Sequence, residues 1–165
     1  MQERRVVAAL TERPGLRWPL VASVAALVVA VDHLTKWLAL RELTTHDIHV
    51  LGSLRLHLVF NNGTAFGLGS KLSPFIALAA VGIVVGLLGF GRRTRGVVPM
   101  VAVAAIVGGA IGNLLDRLLR DGSGFLGGPV VDFLDLQWWP VFNVADMAIT
   151  VGAVVLALTS ARDQA

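Results

Sequence analysis

The sequence predicts an all-α membrane protein of four transmembrane helices, with a small extracytoplasmic β-hairpin or sheet between the first two. Three observations carry that expectation. Hydrophobic residues make up 55% of the chain and charged residues only 15%, with a mean hydropathy of +0.74, whereas soluble domains run to about a quarter charged. Four apolar stretches approach the roughly 20 residues that cross a hydrocarbon core. The basic residues crowd into short segments beside those stretches, the pattern that orients a chain in a membrane.

The first span covers about residues 18–40, WPLVASVAALVVAVDHLTKWLAL, and the second about 75–90, FIALAAVGIVVGLLGF. The third covers 97–119 and the fourth about 142–159, all within a single domain of residues 1–165. Gly82, Gly86, Gly108, Gly109, Gly112 and Gly152 lie inside the spans. Small residues let membrane helices approach closely, so a tight bundle is expected.

Arg4, Arg5, Arg13 and Arg17 precede the first span, and Arg92, Arg93 and Arg95 fill the connection between the second and third. Both termini and that connection are therefore expected in the cytoplasm, with residues 41–74 and 120–141 outside. Trp138 and Trp139, just ahead of the fourth span, suit an outer aromatic belt. Asp32 and Lys36 follow the apolar core of the first span where a cleaved leader would carry a small-residue site, so that span reads as retained. The net charge of +3 is then a matter of topology. Membrane lipids are the expected surroundings and nucleic acid is not an expected partner.

Residues 54–60, LRLHLVF, alternate apolar and polar with the period of a half-buried strand. Residues 47–51 precede them across Gly52-Ser53, which predicts a hairpin above the bilayer. The chain has no cysteine, which removes disulfides, thiolate nucleophiles and cysteine-bound metals.

A charge at membrane depth costs about 2.5–3.5 kcal/mol on insertion scales, so each one needs a reason. Asp32 and Lys36 fall in the outer half of the first span, four apart on one helical face. Asn113, Asp116 and Arg117 lie near the outer end of the third, and Asn143 and Asp146 in the first turns of the fourth. Asp132 stands in the outer loop just before it, among Val130, Val131, Phe133 and Leu134, a setting that favours the protonated acid. All of these land in one layer, which points to one site. Taken singly, several have plainer readings. Asp32 and Lys36 neutralise each other, Arg117 is a snorkelling anchor, and Asn143 is a helix N-cap. Asp47, Asp121 and Asp135 read as solvated loop charges.

Other chemistries have weaker support. His46, His49 and His57 lack metal-ligand spacing, and Ser123 has no neighbouring histidine beyond His33. Neither a metal nor a cofactor is expected. A transporter would spread its polar residues toward the midplane, and the G-x-G-D of another intramembrane aspartic peptidase class is absent. Two carboxylates then leave one economical chemistry. Neighbouring acids resist ionising together, so one activates water while the other donates a proton.

The residues also resemble lipoprotein signal peptidase, signal peptidase II, from the first span to the fourth. D-H-L-T-K at Asp32–Lys36 is similar to that family's D-x-x-T-K, and N-N-G-T-A-F-G at Asn61–Gly67 to its N-x-G-x-A-F box, with Thr64 where alanine is common. G-G-A-I-G-N-L-L-D-R at Gly108–Arg117, V-V-D-F at Val130–Phe133 and F-N-V-A-D at Phe142–Asp146 resemble the remaining motifs. The resemblance implies a bacterial cytoplasmic-membrane enzyme. It would cut lipid-modified prolipoproteins on the amino-terminal side of a diacylglyceryl cysteine, with Asp132 and Asp146 catalytic. It further implies that Asn61, Gly63, Asn113, Arg117 and Asn143 position substrate and aspartates, that Asp32 and Lys36 support the site, and that residues 41–74 form a sheet cradling substrate. A monomer is expected. The connection from Asp132 to Asp146 is short beside many relatives, so its shape, with Trp138 and Trp139, is the part the resemblance does not fix.

Overall fold

A computed structural model of the chain describes residues 17–63, 73–91, 96–122 and 124–162. The expectations placed on Arg4, Arg5, Arg13, Thr64–Gly67, Arg92, Arg93, Arg95 and Ser123 lie outside the described residues. In chain order the elements are α1 (Trp18–Glu42), β1 (Ile48–Leu51), β2 (Leu54–Asn61), α2 (Ser73–Gly91), α3 (Val97–Leu119), β3 (Val130–Asp135) and α4 (Val144–Arg162).

Three of these helices, α1, α3 and α4, are long and apolar enough to cross a membrane; the described apolar stretch of α2, Ala77–Gly89, is shorter. Pro19 sits in the first turn of α1, where its missing N–H leaves no bond unmade. At the other end the Leu43 N–H closes on Ala39 O at 2.9 Å, and the Arg41 guanidinium lies 4.3 Å over the Trp37 ring. α3 is the axis of the bundle, packing against α1, α2 and α4. α4 instead turns much of its apolar surface outward, with Val151 61% and Leu158 62% exposed. Such a face suits lipid, because a helix satisfies its own backbone polar groups and needs only apolar surroundings.

Between membrane helices, close backbone approach replaces the hydrophobic drive. A Cβ at Gly109 would strike the carbonyl of Ala145 on α4, and one at Gly112 would lie 2.7 Å from Asp32 Oδ2 on α1. These two glycines bring α3 against both neighbours at the level of the polar residues.

The hairpin predicted for residues 47–61 is present as antiparallel β1 and β2, but the sheet has a third strand. β3 joins β2 antiparallel, giving the order β1-β2-β3. Asp132 is therefore in a strand and not in a loop. Periodicity gave no sign of it, because Val130, Val131, Asp132 and Phe133 are all buried, and a strand covered on both faces does not alternate. Asp135 corrects a second expectation. It is buried and receives Arg55 Nε at 2.6 Å from its register partner on β2. Asp47 is also engaged, by Arg55 at 3.1 Å and His57 at 2.7 Å, while Asp121 is exposed as expected.

Ala39 of α1 and Leu43, which caps its end, pack on Phe133 of β3, with Leu56, Leu58 and Val144 around them. This cluster seats the sheet on one end of the bundle, where α1 and α3 finish and α4 begins.

Candidate active site

α4 starts with a reciprocal cap. Asn143 Oδ1 accepts the Asp146 N–H at 2.9 Å, and the Asn143 N–H donates to Asp146 Oδ2 at 3.2 Å. This is a capping box, with Asp146 at the third helical position. Asp32 adds a second cap from α1, its Oδ1 accepting the Ala145 N–H at 2.9 Å, and a carboxylate is favoured at that positive helix end. The plain reading of Asn143 as an N-cap is thus correct, and it is half of what the residue does. Its Nδ2 also donates to Asp132 Oδ1 at 2.7 Å, Asn113 Oδ1 at 3.1 Å and Val131 O at 3.3 Å.

Strand pairing delivers the other contact of Asp132. Asn61 on β2 pairs with Val130 on β3, so Asp132, two residues on, is its diagonal neighbour on the same face. Asn61 Nδ2 donates to Asp132 Oδ2 at 3.0 Å. The amide is oriented by Gly63, whose N–H donates to Asn61 Oδ1 at 2.9 Å and whose φ of 77° suits glycine alone. The return from Asp132 to Asn143 is a tight fold. Phe142 bridges Leu134, accepting its N–H at 2.8 Å and donating back at 3.1 Å. Trp138 and Trp139 stand exposed at its tip, ring centroids 6.3 Å apart.

From α3, Asn113 Nδ2 donates to Asp146 Oδ1 at 2.8 Å. Asp116 Oδ2 receives Lys36 Nζ at 2.7 Å and the Val131 N–H at 3.3 Å, and Asp116 Oδ1 receives Arg120 Nε at 2.9 Å. The i,i+4 pair expected of Asp32 and Lys36 is formed at 2.7 Å. Sequence reasoning missed that Asp116 shares the same lysine and that Asp32 caps α4. No local signal marks either contact, whereas the four-residue spacing of Asp116 and Arg120 was there to be read.

Asp132, Asp146, Asn61, Asn113 and Arg117 all line one cavity of about 240 Å³. Its remaining walls are apolar, with Ala77, Ala80 and Ile83 of α2, Ile106 and Ala110 of α3, and Ile149 of α4. Gly63, Lys36 and Asn143 are hydrogen-bonded to residues that line this cavity, whereas Asp32 and Asp116 lie one step further out, joined to it through Lys36. Among the described residues no group of histidines and acids is placed to hold a metal.

Burial pushes the Asp132 carboxyl up to about 6, the hydrogen bonds from Asn61 and Asn143 working against it and the nearby Asp146 charge with it. A proton is thus held more tightly in the folded chain than in the unfolded one. The stability this contributes is complete below the ordinary value of 3.8 and is lost as pH rises through about 6. The unfolding free energy of the wild type is expected to fall relative to Asp132→Asn by about 1–3 kcal/mol between pH 4 and pH 7. Thermal unfolding in detergent across that range checks it, and parallel profiles for the two proteins would contradict it.

A model of the family described as Signal peptidase (SPase) II matches residues 24–162. A lipoprotein signal peptidase of Mycobacterium avium (strain 104) is 42% identical over 151 residues, covering 90% of this chain and 82% of its own length. One from Mycobacterium leprae (strain Br4923) is 40% identical over 149 residues, with coverage of 89% and 74%. A solved structure described as a bacterial membrane enzyme superposes with a TM-score of 0.75 at 26% identity, over 92% of this chain and 93% of that one. On the family match over most of its length, and on relatives of this similarity, the chain belongs to the signal peptidase II family of peptidases.

Proposed function

We propose that the chain is a membrane aspartic endopeptidase that removes the signal peptide from diacylglyceryl-modified prolipoproteins. It cuts on the amino-terminal side of the lipidated cysteine, with Asp132 and Asp146 activating the water. One observation carries this reading: the two carboxylates line a single cavity and both accept hydrogen bonds from the buried Asn143, Asp132 from its side-chain amide and Asp146 from its backbone N–H. The charged member of the pair takes a proton from water as it attacks the scissile carbonyl. The neutral member protonates the carbonyl oxygen, and on collapse the C–N bond breaks and the amine leaves with a proton. Arg117, at the same cavity, holds the substrate backbone.

The apolar walls from α2, α3 and α4 support a substrate that brings its own lipid, since each buried acyl methylene contributes about 0.8 kcal/mol. In this reading α2 is the fourth span, both termini are cytoplasmic, and the sheet-bearing end of the bundle faces outward. Exposed Trp138 and Trp139 at that end support an outer interfacial belt.

The test is reconstitution of the full chain with a prolipoprotein peptide carrying a diacylglyceryl cysteine, set against the same peptide without lipid. Mass spectrometry is expected to find a product beginning at the modified cysteine from the first peptide only. Equal cleavage of both, or a cut at another bond, would refute the substrate assignment.

A further inference from the structure

Lys36 is the most costly side chain in the bundle, an ammonium with no exposure on an apolar helix. Its ammonium sits among three oxygens, forming ion pairs with Asp32 Oδ2 at 2.7 Å and Asp116 Oδ2 at 2.7 Å and donating a hydrogen bond to Asn113 Oδ1 at 3.0 Å. A lysine ammonium is a donor only, with no acceptor to offer. Pairing with Asp32 alone would neutralise the charge; the contact with Asn113 is additional, and its consequence is directional. A donor-only neighbour forces Asn113 to present its oxygen to Lys36, which leaves Nδ2 to face Asp146. The same oxygen accepts Asn143 Nδ2, so Asn143 also has one permitted orientation, the one in which its amide donates to Asp132. Lys36 is thereby one amide away from Asp146 and two from Asp132.

The other charged groups around this cluster are few. His33 Nδ1 lies 3.8 Å from Asp32 Oδ2 on α1. Arg117 lines the cavity from α3, and Arg120 pairs with Asp116. On β3, Asp135 is taken up by Arg55 of β2, and the sequence of α2 has no titratable residue.

We propose that Lys36 is a positioning residue of this peptidase: through Asn113 and Asn143 it fixes the amide faces presented to Asp146 and Asp132, and its buried charge sets the acid limit of activity. The proposal rests on the reading of those aspartates as the catalytic pair.

In the full chain, Lys36→Met is expected to lower kcat about 10- to 100-fold with KM little changed. The acid limb of its kcat profile on the lipidated peptide should move upward by about half a pH unit or more, because a lost positive neighbour disfavours an ionised carboxylate. Asp116→Asn removes the opposite charge and keeps Lys36, so its acid limb is expected to move downward. A merely structural role would reduce the folded fraction and leave both limbs in place. A folded Lys36→Met protein with the wild-type acid limb overturns the proposal. Should Lys36→Met fail to fold, Asp116→Asn decides alone, a downward shift supporting the proposal and an unmoved limb overturning it. Failure of the underlying reading has a separate signature, turnover retained in Asp132→Asn or Asp146→Asn.

Discussion

Asp132→Asn and Asp146→Asn are each expected to lower turnover of the lipidated peptide by about 10³-fold or more while leaving a folded chain. The substitution keeps shape and removes the ability to exchange a proton with water or with the leaving amine. Its structural cost is limited. Asp146 accepts hydrogen bonds on both oxygens, from Asn113 Nδ2 and from the Asn143 N–H. An asparagine there can accept only one of them, a loss of about 0.5–1.5 kcal/mol. At Asp132 the same loss, among Asn61 and Asn143, is offset by relief of the burial that raises this carboxyl to about 6. Each variant should therefore elute as wild type from size exclusion, unfold at a similar temperature and turn over almost no substrate. Near-wild-type rates in either would remove that aspartate from the pair.

The layer of polar residues was legible because each member is expensive in an apolar chain, and cost is visible in one dimension. Asp32, Lys36, Asn113, Asp116 and Asp146 stand out from their spans for that reason, and the i,i+4 spacing of Asp32 and Lys36 fixed their pairing. What one dimension does not hold is the azimuth of one helix against the next. Lys36 reaches Asp116 on another helix, and Asp32 reaches the first turn of α4; neither pattern has a period. β3 escaped for a different reason, since VVDFLD is covered on both faces and reads as an apolar loop. With it went the pairing that sets Asn61 beside Asp132 and the burial of Asp135 against Arg55. Asn143 shows a third kind of limit. Capping and site-building look like rival readings of a sequence, but here the cap uses Oδ1 and thereby aims Nδ2 at Asp132.

That division of labour within one amide gives a second large effect. Asn143→Leu, close in volume, is expected to abolish turnover and to destabilise the fold by about 3–5 kcal/mol. Asn143 is fully buried, so water cannot replace what it offers. Its removal leaves the Asp146 N–H without its cap, a loss of about 0.5–2 kcal/mol. It also strips donors from Asp132 Oδ1 and Val131 O, each costing about 1–3 kcal/mol when left unpaired. Asn143→Ser separates the two functions. A serine hydroxyl caps a helix nearly as well as an asparagine, but it is too short to reach Asp132 from the same position. Asn143→Ser should accordingly recover much of the unfolding temperature lost in Asn143→Leu and little of the turnover. If rate and unfolding temperature instead recover together, the contact between Asn143 and Asp132 is dispensable, and the pair is held in place by its other partners, Asn61 and Asn113.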